Sequence, residues 1–362
     1  LNVNYDYQRN QRYEFDRRVG DDRDVPAVDL RLQTHSLSSN LMVDKYENMK
    51  FNFGIIGRYQ DNFANPETGV RRLIPDYDKY DLGAFAIGEF DLNDNLIADL
   101  GVRYDFNHID ALKFYRTSRW EERGYDEDFA DIVIEDLGTQ LLTNPVFDFH
   151  NFSATAGLIY DINEKHKIGF NYGLASRPPN PAELFSDGLH HSAARIELGD
   201  LRLDKEIANR FAFNYQLNTS RININAETYV NSVANFIYLE PTGTESTIRG
   251  AFPVFRFVQS NVLYSGLDAD VAFEANTSLS TGAQCNAVYV NKVSDGTFVY
   301  GVPAPRIGSF VKYIFSPNSG LMDTYVIINS TYVFRHSWAS KITDFAAPPN
   351  GYALVNLEVG KY

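Results

Sequence analysis

Fourteen stretches of this chain alternate apolar with polar side chains, and the connections between them are short and long in strict turn. Alternation with a period of two is the signature of a strand with two unlike faces. The short connections are Tyr46-Glu47-Asn48, Asn93-Asp94-Asn95, Asn163-Glu164-Lys165, Asn218-Thr219-Ser220, Asn276-Thr277-Ser278 and Pro317-Asn318-Ser319-Gly320, built from residues that tolerate tight backbone geometry. Long connections separate them, among them Asn231 to Tyr264 and the longest, His108 to Phe149. A sandwich or propeller has no reason to place every long connection at one end. A transmembrane β-barrel does, because its turns are short on one side of the bilayer and its loops long on the other.

Composition agrees with that reading only in a particular way. The chain has 362 residues, 44% hydrophobic, and no apolar run of the roughly 18 residues a membrane helix needs. Membrane strands hide in such a composition, since lipid-facing and lumen-facing residues alternate and the mean hydropathy looks soluble. Leu100, Val102 and Tyr104 alternate with Asp99, Gly101, Arg103 and Asp105, and Leu267, Ala269, Val271 and Phe273 with Asp268, Asp270 and Glu274. Charges at the second set are tolerable in a wet lumen and prohibitive in lipid. The aromatic residues Tyr104, Phe106, Tyr160, Tyr313 and Phe315 lie near strand ends, where interfacial girdles form.

A net charge of −14 opposes a nucleic-acid partner. The single cysteine, Cys285, falls in the apolar set Ala283, Cys285, Ala287 and reads as a small lipid-facing residue. No G-x-S-x-G, H-E-x-x-H, C-x-x-C or glycine-rich phosphate loop is present, so no enzyme chemistry is indicated. The acidic run Glu121–Asp136 reads as solvated loop charge.

The stretch His166–Tyr215 is the richest in candidate ligands. Ile168, Phe170, Tyr172 and Leu174 form the apolar face of one strand, and Phe211, Phe213 and Tyr215 that of its neighbour. Between them lie Arg177-Pro178-Pro179, Glu183-Leu184-Phe185, His190-His191 and Glu197-Leu198-Gly199-Asp200, followed by Leu203 and Glu206. This order resembles TonB-dependent outer-membrane receptors of the type that takes up haem, zinc or iron chelates. Ser176-Arg177-Pro178-Pro179 stands where the haem receptors have Phe-Arg-Ala-Pro, and Asp200-Leu201-Arg202-Leu203 where they have Asn-Pro-Asn-Leu, differing at three of four positions.

The resemblance implies an all-β, antiparallel transmembrane β-barrel, with residues 1–362 supplying about 14 strands of 22, roughly the seventh through the twentieth. The plug domain, the TonB-contacting segment and the last strands would then lie outside this stretch. It implies an outer-membrane location in a Gram-negative bacterium, energy-coupled uptake driven by TonB, contacts with the plug, lipid and lipopolysaccharide, and no intrinsic cofactor, the cargo being haem, zinc or an iron chelate. Two other readings stand beside it: a complete passive 14-stranded or porin-like barrel, closed at the aromatic Tyr362, and a soluble β-rich binding module.

For the site, imidazole and carboxylate groups suit zinc or iron, and His190, His191, Arg177, Glu183 and Glu197 are the candidates. The resemblance favours His190 as a metal ligand, through its spacing from Gly188. Adjacent histidines in an extended segment point oppositely, so His191 is expected to face away; alternatively both are solvated. Arg177 either attracts an anionic chelate or haem propionate, or has a structural role, holding the adjacent loop through Glu183 or the plug through a salt bridge. His35, His108, His150, His166 and His336 receive no role.

Overall fold

The computed structural model describes residues 1–15, 24–69, 72–247, 250–315, 324–336 and 347–361. The expected turn at Pro317–Gly320, Trp338 and Tyr362 lie outside them. Eighteen strands are described: β1 Asn2–Glu14, β2 Val28–Tyr46, β3 Met49–Ala64, β4 Asp76–Asn93, β5 Leu96–Arg116, β6 Val133–Asp136, β7 Gln140–Thr143, β8 Val146–Asp161, β9 His166–Arg177, β10 Asp187–His190, β11 Arg195–Leu198, β12 Glu206–Asn218, β13 Ile222–Thr247, β14 Gly250–Glu274, β15 Leu279–Lys292, β16 Arg306–Ile314, β17 Thr324–Val333 and β18 Tyr352–Lys361. Three short helices, α1 Thr117–Glu122, α2 Tyr125–Asp128 and α3 Pro181–Phe185, lie in the long connections.

Fourteen of these strands form one ladder of nearest-neighbour antiparallel pairs, β1-β2-β3-β4-β5-β8-β9-β12-β13-β14-β15-β16-β17-β18. The fourteen alternating stretches are those strands. Nearest-neighbour antiparallel order puts alternate connections at the same rim, and hydrogen bonds join the short turns along it: Asp91 N to Asn48 O at 2.9 Å, Asp161 N to Asn95 O at 2.8 Å, Asn218 N to Lys165 O at 2.8 Å and Glu274 N to Arg221 O at 2.8 Å. The turns are closed by their own asparagines, as where Asn163 Oδ1 accepts from Lys165 N at 2.9 Å.

Register lines the alternation up across the sheet. Phe51, Gly88, Leu100, Ala156, Tyr172, Phe211 and Val230 are successive partners in one apolar row. That face carries no second layer: Leu100, Phe152 and Phe170 are 55%, 52% and 46% exposed. Apolar residues left open over a whole face mark a surface meant for lipid and rule out a sandwich, in which they would be packed between sheets. On the other face Asn214, Glu227, Asp268, Asn286 and Arg306 are successive partners. Asn286 there donates to Asp268 at 2.7 Å and Arg306 to Asn286 at 3.1 Å. Cys285 sits on the lipid side opposite Ile307 and Ala269.

A belt crosses the apolar face toward the long-loop rim, with Tyr7, His35, Tyr59, Tyr80, His108 and Asp148 as successive partners. The Tyr104 hydroxyl meets His150 Nδ1 at 2.6 Å beside it. Three histidines without a role in the sequence therefore belong to the interfacial girdle, where rings with one polar edge suit the boundary between hydrocarbon and water.

The strands toward that rim exceed the sequence expectation. β5 continues nine residues past Asn107, and Asn231–Tyr264, expected as a loop, is the extension of β13 and β14. Their ladder persists through two register shifts, at Val233/Phe236 and Pro241/Gly243.

Candidate functional site

The long connection from β9 to β12 begins at Arg177, the last residue of its strand. Pro178 and Pro179 cannot donate to a ladder, so the strand stops. Asn180 then caps α3: its side chain accepts from Glu183 N at 3.0 Å, while Glu183 accepts from Asn180 N at 2.7 Å. The same Glu183 carboxylate receives Arg177 Nη1 at 2.9 Å, and Arg177 Nε donates to Glu206 at 2.9 Å. Arg177 and Glu206 are direct cross-strand partners, so one guanidinium ties the loop's exit to its return.

Beyond α3 the chain makes the hairpin β10–β11. His190 ends β10, and both of its ring nitrogens are engaged: Nδ1 lies 2.8 Å from Glu197 Oε1, and Nε2 lies 3.3 Å from Glu14 Oε1 beside Arg12. Glu14 and Glu197 are buried, and Arg195 Nε donates to Glu197 at 2.7 Å. Ser192 N donates to Glu14 at 3.1 Å. The hairpin thus reaches from β9 to β1, six strands along the ladder, and fastens there. His191 opens the turn, its carbonyl accepting from Ala194 N at 3.2 Å.

The five sequence candidates therefore form two groups, Arg177 with Glu183 and His190 with Glu197, while His191 sits in the turn. Among the described residues no group of three or more His, Cys, Asp or Glu side chains is disposed to hold a metal ion.

Below Pro178–Asn180 a cavity of about 280 Å³ opens on the polar face, lined by Arg58, Lys79, Asp81, Arg103, Asp105 and Arg177 among others. Arg103 donates to Asp105 at 2.6 Å, Lys79 lies 3.0 Å from Asp81, and Asn107 donates to Asp81 at 2.5 Å. Asn151 continues the chain to Asn107 at 2.6 Å and Ser176 to Asn151 at 2.8 Å. Of the four lining cations, Arg103 is paired with Asp105, Lys79 with Asp81 and Arg177 with Glu183 and Glu206, which leaves Arg58 as the lining cation without an ion pair among the described residues. Arg58, Lys79 and Asp81 were not singled out from sequence. The parity of their strands would have found them, since each alternates with an apolar neighbour on the lipid side.

A compact apolar core holds the loops above the cavity. Trp120 and Tyr125 pack with Tyr115, Leu184, Phe185, Leu201 and Ile237. The Tyr125 hydroxyl donates to Asp200 at 3.0 Å and accepts from Leu201 N at 3.0 Å. Burial pushes its pKa up to about 12 and Asp200 adds to the effect, so the phenol stays protonated and donating. The acidic run at residues 121–136, read as solvated charge, folds around this ring into α1, α2 and β6, most of its carboxylates remaining exposed. Arg119 and Arg123 pair with Asp187 at 3.4 and 3.0 Å, locking β10 to α1. Trp120, His190 and Thr242, from three connections, are thereby gathered at one rim.

Gly199 permits a close backbone crossing. A Cβ there would lie 2.6 Å from the carbonyl oxygens of both Glu183 and Leu184. Gly199→Ala is expected to force α3 and β11 apart and to open the loop to limited proteolysis at least tenfold faster, a loss of about 1.4 kcal/mol in local stability. Unchanged protection would show that the loop yields without cost.

The profile of the family described as TonB dependent receptor-like, beta-barrel, matches residues 1–362. A ferric aerobactin receptor from Klebsiella pneumoniae is 26% identical over 135 residues, 37% of this chain and 17% of that protein. Among solved structures, the copper transporter OprC superposes with a TM-score of 0.73 at 14% identity, covering 99% of this chain and 55% of its own. The FrpB iron transporter from Neisseria meningitidis superposes with a TM-score of 0.66 at 12% identity, covering 99% and 53%. This chain spans about half the length of those structures.

Proposed function

This chain belongs to the TonB-dependent receptor family, as sequence of its β-barrel, and from that premise we propose that it is about half of an outer-membrane receptor for energy-coupled uptake of a scarce metal complex. In this reading a plug domain and further strands complete a 22-stranded barrel, TonB supplies the drive, and lipid and lipopolysaccharide cover the apolar face. The cargo class we favour is an anionic ferric chelate. What supports it is the wall of the cavity beneath Arg177, where Arg58, Lys79 and Arg103 also converge and Arg58 has no ion pair among the described residues. Zinc and haem remain the other cargoes to be tested. The protein is a receptor and transporter, not an enzyme.

Arg177 and Glu183 set the entrance, and Glu197 orients His190. For His190 to ligate a metal it must leave Glu14 or Glu197, because both ring nitrogens are engaged. His190→Ala in the complete receptor is expected to weaken cargo binding about tenfold, or 1.4 kcal/mol. His191→Ala is expected to change it less. Titration of both variants with a ferric chelate, haem and zinc decides this. Equal affinity of the His190 variant for all three removes the histidine from the site.

Uptake itself is tested in iron-starved cells expressing the full-length gene. Arg103→Gln combined with Arg58→Gln is expected to slow accumulation of a labelled anionic ferric chelate at least tenfold. Collapse of the proton-motive force is expected to stop it. Uptake that survives that collapse would favour a passive barrel.

A further inference from the structure

A second recess lies among the loops, away from the cavity under Arg177. It encloses about 410 Å³ between α1, β11 and the extensions of β13 and β14, within the range of roughly 300–1,000 Å³ typical of small-molecule sites. Four guanidinium groups line it, from Arg116, Arg119, Arg123 and Arg256, against Glu122 and Glu245.

Two of the four are committed to the fold. Arg119 Nη2 donates to both oxygens of Glu245 at 2.7 Å and reaches Asp187, which Arg123 also holds at 3.0 Å. The other two are not. The Arg116 side chain has no hydrogen-bond or ion-pair partner among the described residues, and Arg256 comes no closer than 3.8 Å to Glu122. The opposite wall is shaped for approach: the β13 register shift at Pro241/Gly243 throws out Thr242, and Gly243, at φ 152°, has open space where a Cβ would stand. Bulges of this kind re-aim a strand beside a binding site.

We propose that this recess binds a compact, non-aromatic ligand carrying paired oxyanion groups, carboxylate or phosphate, held by Arg116 and Arg256. Guanidinium is the side chain suited to grip such groups through two parallel hydrogen bonds. Among the described residues no aromatic side chain lines the recess, and its apolar lining is Leu198 and Val254. A porphyrin or catechol body would find no stacking surface there. The site goes beyond the uptake reading because it needs no cargo in the lumen. Uptake can fail with the recess intact, and the reverse.

The test is calorimetric titration of the full-length protein in detergent, without metal, using citrate and inorganic pyrophosphate as probes. Wild type is expected to bind at least one of them with a Kd below about 1 mM. Arg116→Gln and Arg256→Gln are each expected to weaken that binding about tenfold. Lys50→Gln, which removes an equal charge at the short-turn rim, is expected to leave it unchanged. Arg256→Lys should recover less than half of the lost affinity, since a point charge cannot replace a fork. Preference for citrate identifies a carboxylate ligand and preference for pyrophosphate a phosphate one. Heat-modifiable migration in gels verifies that each variant is folded. Absence of binding by wild type, or equal weakening by the Lys50 variant, overturns the proposal.

Discussion

Arginine in place of Val102 is expected to destabilise the membrane-inserted protein by about 2–4 kcal/mol, the cost of such a residue on the lipid face near the bilayer midplane. Val102 lies between the short turn at Asn93–Asn95 and the aromatic belt at His108, and is 51% exposed on the apolar face. Its cross-strand partners Ala86 and Ala154 offer no carboxylate, so the charge would have only hydrocarbon around it. Arg103, the next residue, carries the same charge on the polar face, paired with Asp105 at 2.6 Å. Arg103→Gln should cost well under half as much. Urea unfolding of the full-length protein from lipid vesicles measures both; equal midpoints for the two variants would mean that the faces are wrongly assigned.

Trp120→Ala should have an effect of similar size in a different place. Trp120 is 2% exposed and packs with Tyr115 and Tyr125 at ring separations of 5.2 Å each. Truncating a large buried aromatic costs about 3–5 kcal/mol. The loss is expected to fall on the loops alone. Amide exchange should quicken in residues 117–145 and 178–205, while the strands within the membrane keep their protection. Faster exchange throughout β5, β8 and β9 would mean that loops and barrel are one cooperative unit.

The fourteen strands were legible because lipid imposes a strict rule: an apolar residue at every second position, on one side only. Leu100, Val102 and Phe170 announced their face this way, and the asparagine turns announced the rim. Above the membrane that rule lapses. Ile237 and Tyr238 are both buried, as are Val254 and Phe255, although each pair is adjacent in sequence, so a two-residue period no longer separates strand from connection, and the long extensions of β13 and β14 read as loop. The hairpin β10–β11 was hidden for the same reason. Its partners, Glu14 and residues 254–256, are remote in sequence.

Arg177 shows how far residue chemistry reaches alone. Both readings of it, loop clasp and anion attractor, were open from sequence. The structure shows the clasp, with Glu183 and Glu206, and also places the residue on the cavity wall. The cations that share that wall, Arg58 and Lys79, come from strands about a hundred residues earlier, a convergence that only the ladder produces.

The β11–β14 pairing has a consequence for time as well as for shape. Ile196, Glu197 and Leu198 run parallel to Val254, Phe255 and Arg256, whereas every membrane strand meets its neighbour antiparallel. The pairing cannot form until β12, β13 and the first half of β14 have been made, so β11 must wait as an unpaired edge while later chain arrives. Contacts between remote segments close a long loop before they return any stabilisation, which makes them slow. The roof over the lumen is therefore expected to mature as a separate late phase, after the wall beneath it has entered the bilayer.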